Sequence, residues 1–194
     1  MKRIFDFTTS LIGLIIISPI LLFIALIISL GSKGGVFYKQ KRVGKGNKDF
    51  YVYKFRSMIV DADKKGLLSI GKDGKDPRVT KIGYILRKYK LDELPQLLNV
   101  LKGDMSLVGP RPEVRKYVDL YNKEQMQVFN VRPGITDIAS IKFRNENDLL
   151  SQSPNPEEYY IKEIMPQKLS LNLEYIKTRT FLGDIKLIFK TIFG

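Results

Sequence analysis

Between Phe7 and Ser32 the chain carries no charged residue, and the core of that run reads LIGLIIISPILLFIALIISL. No other feature limits the fold so strongly. As one helix the run reaches roughly 39 Å, enough to cross the hydrocarbon core of a bilayer. A secretory signal has an apolar region of only about 7–15 residues, so the run is read as a membrane segment. Ser18-Pro19 lies in its middle, where proline removes a backbone donor and crowds the preceding turn. Both flanks are basic: Lys2 and Arg3 precede it, and Lys33, Lys39, Lys41, Arg42, Lys45 and Lys48 follow. Positive flanks favour the cytoplasmic side. A helix that breaks at Ser18-Pro19 and returns to the same face satisfies both flanks, whereas a kinked crossing helix satisfies only the stronger one. Residue types alone leave both arrangements open. Either puts the bulk of the chain in the cytoplasm, with residues 1–35 as membrane segment and 36–194 as core.

Composition removes whole classes of chemistry. The 194 residues include no Cys, His or Trp. Disulfides, zinc fingers and Ser-His-Asp or Cys-His catalysis are therefore excluded. A bound metal would have oxygen ligands, which favours magnesium, manganese or calcium. Thirty-three Lys and Arg against 20 Asp and Glu give a formal charge of +13 and attraction to polyanions. A nucleic-acid binder has no need of the apolar segment, so no nucleic acid is expected among the partners.

Two β-prone runs flank Gly-Lys-Gly-Asn, which predicts a hairpin over 36–42 and 50–57. Residues 61–78 are rich in Gly, Asp and Lys without periodicity and read as a surface loop, with a lid over a site as the functional alternative. In DPRVTKIGYILRKYK, Val79, Ile82, Ile85 and Leu86 take helical spacing. That pattern suits a core helix or one lying at the membrane surface. Leu94, Leu97, Leu98 and Leu101 repeat it, with Gly103 as a natural stop. Asn155-Pro156-Glu157-Glu158 opens another helix, and FLGDIKLIFKTIF, with Lys186 and Lys190, suits a membrane face.

Within this basic chain stands an adjacent acidic pair, Asp92-Glu93. Pro95 is tolerated only near a helix start, so the pair falls at a cap or in a first turn. As a cap, Asp92 would satisfy free backbone N–H groups and Glu93 would complement the helix dipole. Other residues favour a chemical role. In Gly109-Pro110-Arg111-Pro112 each proline stiffens the backbone around Arg111, and a guanidinium so held suits a phosphate or carboxylate. Lys54 and Arg56 lie on a predicted strand, Arg87 on a predicted helix and Arg132 before a Pro-Gly turn. Charge and position make all four candidate phosphate contacts.

The segments VFYKQKRVGKGNKDFYVYKFRSM, DPRVTKIGYILRKYKLDELPQLLNVLKGDMSLVGPRPE and VRPGIT together resemble the bacterial sugar transferase family, the small monotopic phosphoglycosyl transferases. The resemblance implies transfer of a sugar 1-phosphate from a UDP-sugar to polyprenyl (undecaprenyl) phosphate with release of UMP. It implies Asp92 as nucleophile, Mg2+ at Asp92 and Glu93, and a membrane helix broken at Ser18-Pro19 that re-enters rather than crosses. The expected fold is α+β: that helix, then a mostly helical cytoplasmic core with a small β-hairpin and amphipathic interfacial helices. Expected partners are the UDP-sugar, the polyprenyl phosphate and membrane lipids, a homodimer being left open. The expected location is the cytoplasmic face of the bacterial inner membrane. A membrane scaffold that has kept the fold without activity is the alternative. Where many members carry Gly, this chain has Asp137, a change expected to touch the nucleotide or sugar pocket.

Overall fold

The computed structural model describes residues 1–31, 34–62, 66 and 76–193. It mixes helices with two small sheets and has one long apolar helix at the N-terminus. That helix, α1 (Lys2–Gly31), runs unbroken through Pro19. Proline leaves the Ile15 carbonyl without its usual amide donor. The Ser18 hydroxyl donates to that carbonyl at 2.8 Å, so the Ser-Pro pair repairs the gap it opens. The expected break is therefore not an interruption of the helix.

One face of α1 stays on the rest of the protein along much of its length. Near its start, Arg3 donates to the carbonyls of Val100 (2.5 Å) and Leu101 (2.9 Å), and buried Asp6 accepts from Ser106 Oγ at 2.8 Å. Near its end, Ile24 and Ile28 pack with Phe55 and Leu86. The opposite face exposes Ile12, Ile15, Ile16, Leu22 and Phe23. Such an apolar face has no aqueous partner, and lipid is the solvent that suits it.

Strands β1 (Phe37–Val43) and β2 (Asp49–Phe55) form the expected hairpin, antiparallel from Phe37↔Phe55 to Val43↔Asp49. Helix α2 (Lys81–Lys88) begins where Thr80 accepts from the Gly83 N–H at 3.0 Å. It buries Leu86 but exposes Ile85. Helix α3 (Gln96–Lys102) stops at Gly103, whose φ of 91° is left-handed. The buried side of α3 is Gln96, Asn99 and Val100 rather than the leucine stripe. Leu98 is exposed, and Leu97 lies close to Gly13 of α1.

Strands β3 (Ser106–Val108) and β4 (Gly134–Thr136) pair in parallel. They bring the Pro110–Pro112 loop against the Val131–Thr136 segment. The backbones come so close that a Cβ on Gly134 would lie 2.1 Å from the Gly109 nitrogen. The remaining helices are α4 (Arg115–Val118), α5 (Ile138–Lys142), α6 (Glu146–Gln152), α7 (Pro156–Tyr159), α8 (Met165–Thr178) and α9 (Phe181–Phe193). Asn155 caps α7 as expected, and a π-helical turn at Tyr160–Ile164 joins α7 to α8. The main core gathers Val114, Tyr117, Leu150, Tyr160, Ile164 and Leu169. Most of the 61–78 loop lies outside the described residues. Of its described part, Arg78 holds Asp76 through Nε (2.9 Å) and a terminal nitrogen (2.6 Å).

Candidate active site

The acidic pair lies one turn ahead of α3, in a short 3-10 segment, Leu91–Glu93, entered through Lys90 in a left-handed conformation. The two carboxylates have different surroundings. Asp92 is buried, and among the described residues its carboxylate accepts no hydrogen bond; it caps nothing. Glu93 accepts from Lys54 Nζ at 2.9 Å and from both terminal nitrogens of Arg111, one of them at 3.2 Å. Adjacent side chains diverge by roughly 100° in a helical turn, which sends one to a cluster of cations and the other elsewhere.

The direction is a cleft of about 490 Å³, whose wall includes Asp92 with Lys54, Arg56, Arg87 and Arg111, but not Glu93. Four of the predicted phosphate contacts thus share one space. Arg87 donates through Nε to Ser57 Oγ at 2.9 Å, and Arg56 keeps a buried Nε with no hydrogen-bond partner among the described residues. Arg132 is not in this wall. It donates to the Gly103 carbonyl at 2.7 Å and so closes the C-terminal end of α3. Pro110 and Pro112 flank Arg111 in a loop tied to two neighbouring segments. The Pro110 carbonyl accepts from Gly134 N–H at 3.0 Å, and the Pro112 carbonyl from Arg42 at 3.1 Å. Asp137 is also outside the wall; it caps α5 by accepting from the Ser140 N–H at 2.9 Å.

The electrostatics follow from burial and partners. Burial raises the pKa of Asp92 and outweighs the pull of Lys54, Arg87 and Lys90. The neighbouring cations alone would lower it. Burial also pushes Glu93 upward, yet Arg111 and Lys54 hold it well below the usual carboxylate range. Burial lowers the Lys54 pKa, with Glu93 opposing. Glu93 raises that of Arg111.

Several supporting residues went unseen in the sequence. Asn99, fully buried, accepts from the Tyr53 N–H at 2.9 Å and donates to the Tyr51 carbonyl at 2.7 Å. It completes the outer edge of β2 on either side of Val52 and so fixes the strand that carries Lys54. A polar residue on the inner side of a leucine-rich helix was the available signal. Asn99→Ala leaves two strand groups without partners and is expected to cost about 2–4 kcal/mol. A thermal melt in detergent checks this, and an unchanged midpoint would refute the role. At the far end of the cleft, Tyr160 donates to Glu113 at 2.5 Å and Lys168 pairs with Glu146 at 2.7 Å.

Residues 1–194 match the family described as bacterial sugar transferase. The chain belongs to that family. This bacterial sugar transferase is 40% identical over 194 residues to a UDP-N-acetylgalactosamine-undecaprenyl-phosphate N-acetylgalactosaminephosphotransferase of Aeromonas hydrophila, covering 98% of this chain and 42% of the relative. It is 40% identical over 197 residues to the UDP-glucose:undecaprenyl-phosphate glucose-1-phosphate transferase of Escherichia coli (strain K12), covering 100% and 39%. It is also 40% identical over 200 residues to the exopolysaccharide production protein PSS of Rhizobium leguminosarum bv. phaseoli, covering 99% and 93%. The chain thus spans about two fifths of the first two relatives and nearly all of the third.

Proposed function

We propose that this sugar transferase moves a sugar 1-phosphate from a UDP-sugar to polyprenyl (undecaprenyl) phosphate in two displacements through Asp92. One observation carries the reading: a buried carboxylate without a protein partner among the described residues, facing a cleft whose wall includes Lys54, Arg56, Arg87 and Arg111. An Asp92 oxygen attacks the β-phosphorus of the donor, a P–O bond forms, and the bond to UMP breaks. An oxygen of the acceptor phosphate then attacks the same phosphorus, releasing the Asp92 carboxylate and a polyprenyl-diphosphate sugar. The acceptor oxygen is already anionic, so no base is required, in keeping with a chain that has no His.

Repulsion between anions is the obstacle, and fixed cations oppose it. Arg111 and Lys54 are held by Glu93, and Arg87 by Ser57. The donor set also fits Mg2+, which binds through one or two carboxylates together with substrate phosphates. Asp92 has both oxygens available, whereas both oxygens of Glu93 are engaged, so Asp92 with donor oxygens would hold the ion and Glu93 would contribute less. When bound, the ion neutralises charge on the diphosphate. Glu93 then acts chiefly by positioning Lys54 and Arg111.

The membrane arrangement follows from α1. A helix held to the core near both ends, with the other face apolar, suits a segment that dips into the cytoplasmic face of the inner membrane and does not leave the core behind. The acceptor's phosphate and the cleft would then meet at the membrane surface.

The test is nucleotide release. Purified full chain with Mg2+, undecaprenyl phosphate and a panel of UDP-sugars is expected to yield UMP only when lipid is present. UDP in place of UMP would mean ordinary glycosyl transfer and end the reading. The productive donor would name the sugar.

A further inference from the structure

A second concave surface lies between α5, α8 and α9. It encloses about 610 Å³ and shares no residue with the cleft around Asp92. Ile138, Ile141, Leu171 and Leu187 supply an apolar floor, while Lys142, Arg144, Arg179, Lys186 and Lys190 stand around it. No carboxylate among the described residues lines it. Among the described residues, Lys142, Arg179, Lys186 and Lys190 are exposed and make no ion pair. The nearby acid on α9, Asp184, is turned away, bound to Lys2 at 2.5 Å and to the Tyr175 hydroxyl at 2.6 Å.

The position of α9 identifies the surroundings. Phe181 meets Phe5 of α1 edge-to-face at 5.1 Å, and the Lys2–Asp184 pair ties the same two helix starts together. Beyond that contact α9 exposes Leu182, Phe189, Ile192 and Phe193. The groove therefore opens where apolar side chains and long cationic ones occur side by side, the arrangement by which helices lie at a lipid–water boundary.

We propose that this groove binds one anionic phospholipid of the surrounding bilayer, its phosphate among the cations and an acyl chain along the apolar floor. Lys142, Arg179, Lys186 and Lys190, exposed and without an ion pair among the described residues, favour an anionic headgroup over a zwitterionic one. An acidic peptide or nucleic acid would meet the charges but leave the floor unfilled. The reacting polyprenyl phosphate must bring its phosphate to Asp92, and this groove has no wall in common with that cleft. The inference rests on α1 lying in the membrane, and only the exclusion of the acceptor draws on the proposed chemistry at Asp92.

Native mass spectrometry of the full chain, released from nonionic detergent with phosphatidylglycerol or phosphatidylcholine at equal concentration, tests it. One phosphatidylglycerol should be retained with a preference of about tenfold or more. The triple variant Lys142→Gln, Arg179→Gln, Lys186→Gln should reduce that preference to near unity. Leu171→Trp, which fills the floor and keeps every charge, should also lose the adduct. Neutralising Lys45, Lys48 and Lys123, exposed elsewhere, should leave it intact. The proposal fails if the groove variants retain phosphatidylglycerol like the wild type. It fails equally if the remote variant loses it, since net charge would then be the cause, or if undecaprenyl phosphate displaces it one for one, since the groove would then serve the acceptor. UMP release measured on the same preparations reports separately on the catalytic reading.

Discussion

Asp92→Asn is expected to abolish UMP release while leaving the protein more stable to heat than the wild type. Loss of the attacking oxygen removes the first displacement, and a fall in kcat of roughly 10⁴-fold or more is the scale for a missing nucleophile. Stability should move the other way. Asp92 is buried, accepts no hydrogen bond among the described residues, and has a pKa raised first of all by burial. A carboxyl whose folded pKa exceeds its unfolded value of about 3.9 weakens the fold as pH rises through that window, and the full penalty remains at neutral pH. Asparagine has no charge to desolvate. Without divalent cation, a gain near 1 kcal/mol would raise the melting temperature by about 2–4 °C at pH 7. The gain should vanish below about pH 4, where both proteins are neutral at this position. Melting curves across pH, with UMP release beside them, check both halves. A variant that keeps measurable phosphosugar transfer would remove Asp92 as nucleophile. A variant that melts lower at pH 7 would mean that the carboxylate is a structural anion instead.

That opposition between stability and reactivity also marks what could be read from the sequence. Features set by neighbours in the chain were legible. The hairpin appears at Phe37–Val43 and Asp49–Phe55, within about a residue or two of the turn-based expectation, because Gly46 and Asn47 accept the positive φ its connection needs. Gly103 ends α3 for the same local reason. Features set by distant partners were not legible. Nothing in MSLVGPRP or VRPGIT announces that β3 and β4 pair, although the pairing explains why the stiff Arg111 loop needs the second segment as its support. The leucine stripe of α3 was read by period, but its inner side is Gln96, Asn99 and Val100, since α1 takes up part of the leucine side. Counting the cations near Asp92 points to a lowered pKa, whereas burial raises it, because desolvation depends on packing and packing is not written in a local run of residues. Nor does the sequence show that the Nε of Arg132 donates to the Gly103 carbonyl at the end of α3.

The acidic neighbour provides the second large effect. Glu93→Gln is expected to lower kcat by about 100-fold and to cost about 2–4 kcal/mol of stability, because two mostly buried cations lose the anion between them. Glu93 is held far below the usual carboxylate range, so its contribution is complete above an unfolded pKa of about 4.3 and fades as pH falls toward the depressed value. The wild-type advantage in melting temperature should therefore shrink on acidification below about pH 4. The rate profile separates the two roles open to Glu93. Burial already lowers the Lys54 pKa, and Glu93 opposes that fall. Without the anion Lys54 sheds its proton more readily, so the alkaline limb of activity should move toward neutral pH while the Mg2+ concentration for half-maximal rate stays within about twofold. Glu93→Asp, which keeps the charge on a shorter stem, should restore much of the alkaline limb. If Glu93 were instead a principal metal ligand, the variant would keep the wild-type alkaline limb and need far more Mg2+, and positioning through Lys54 and Arg111 would be wrong. The arrangement of two cations on both oxygens of one carboxylate, with Asp92 facing the cleft and Glu93 behind it, favours the first result.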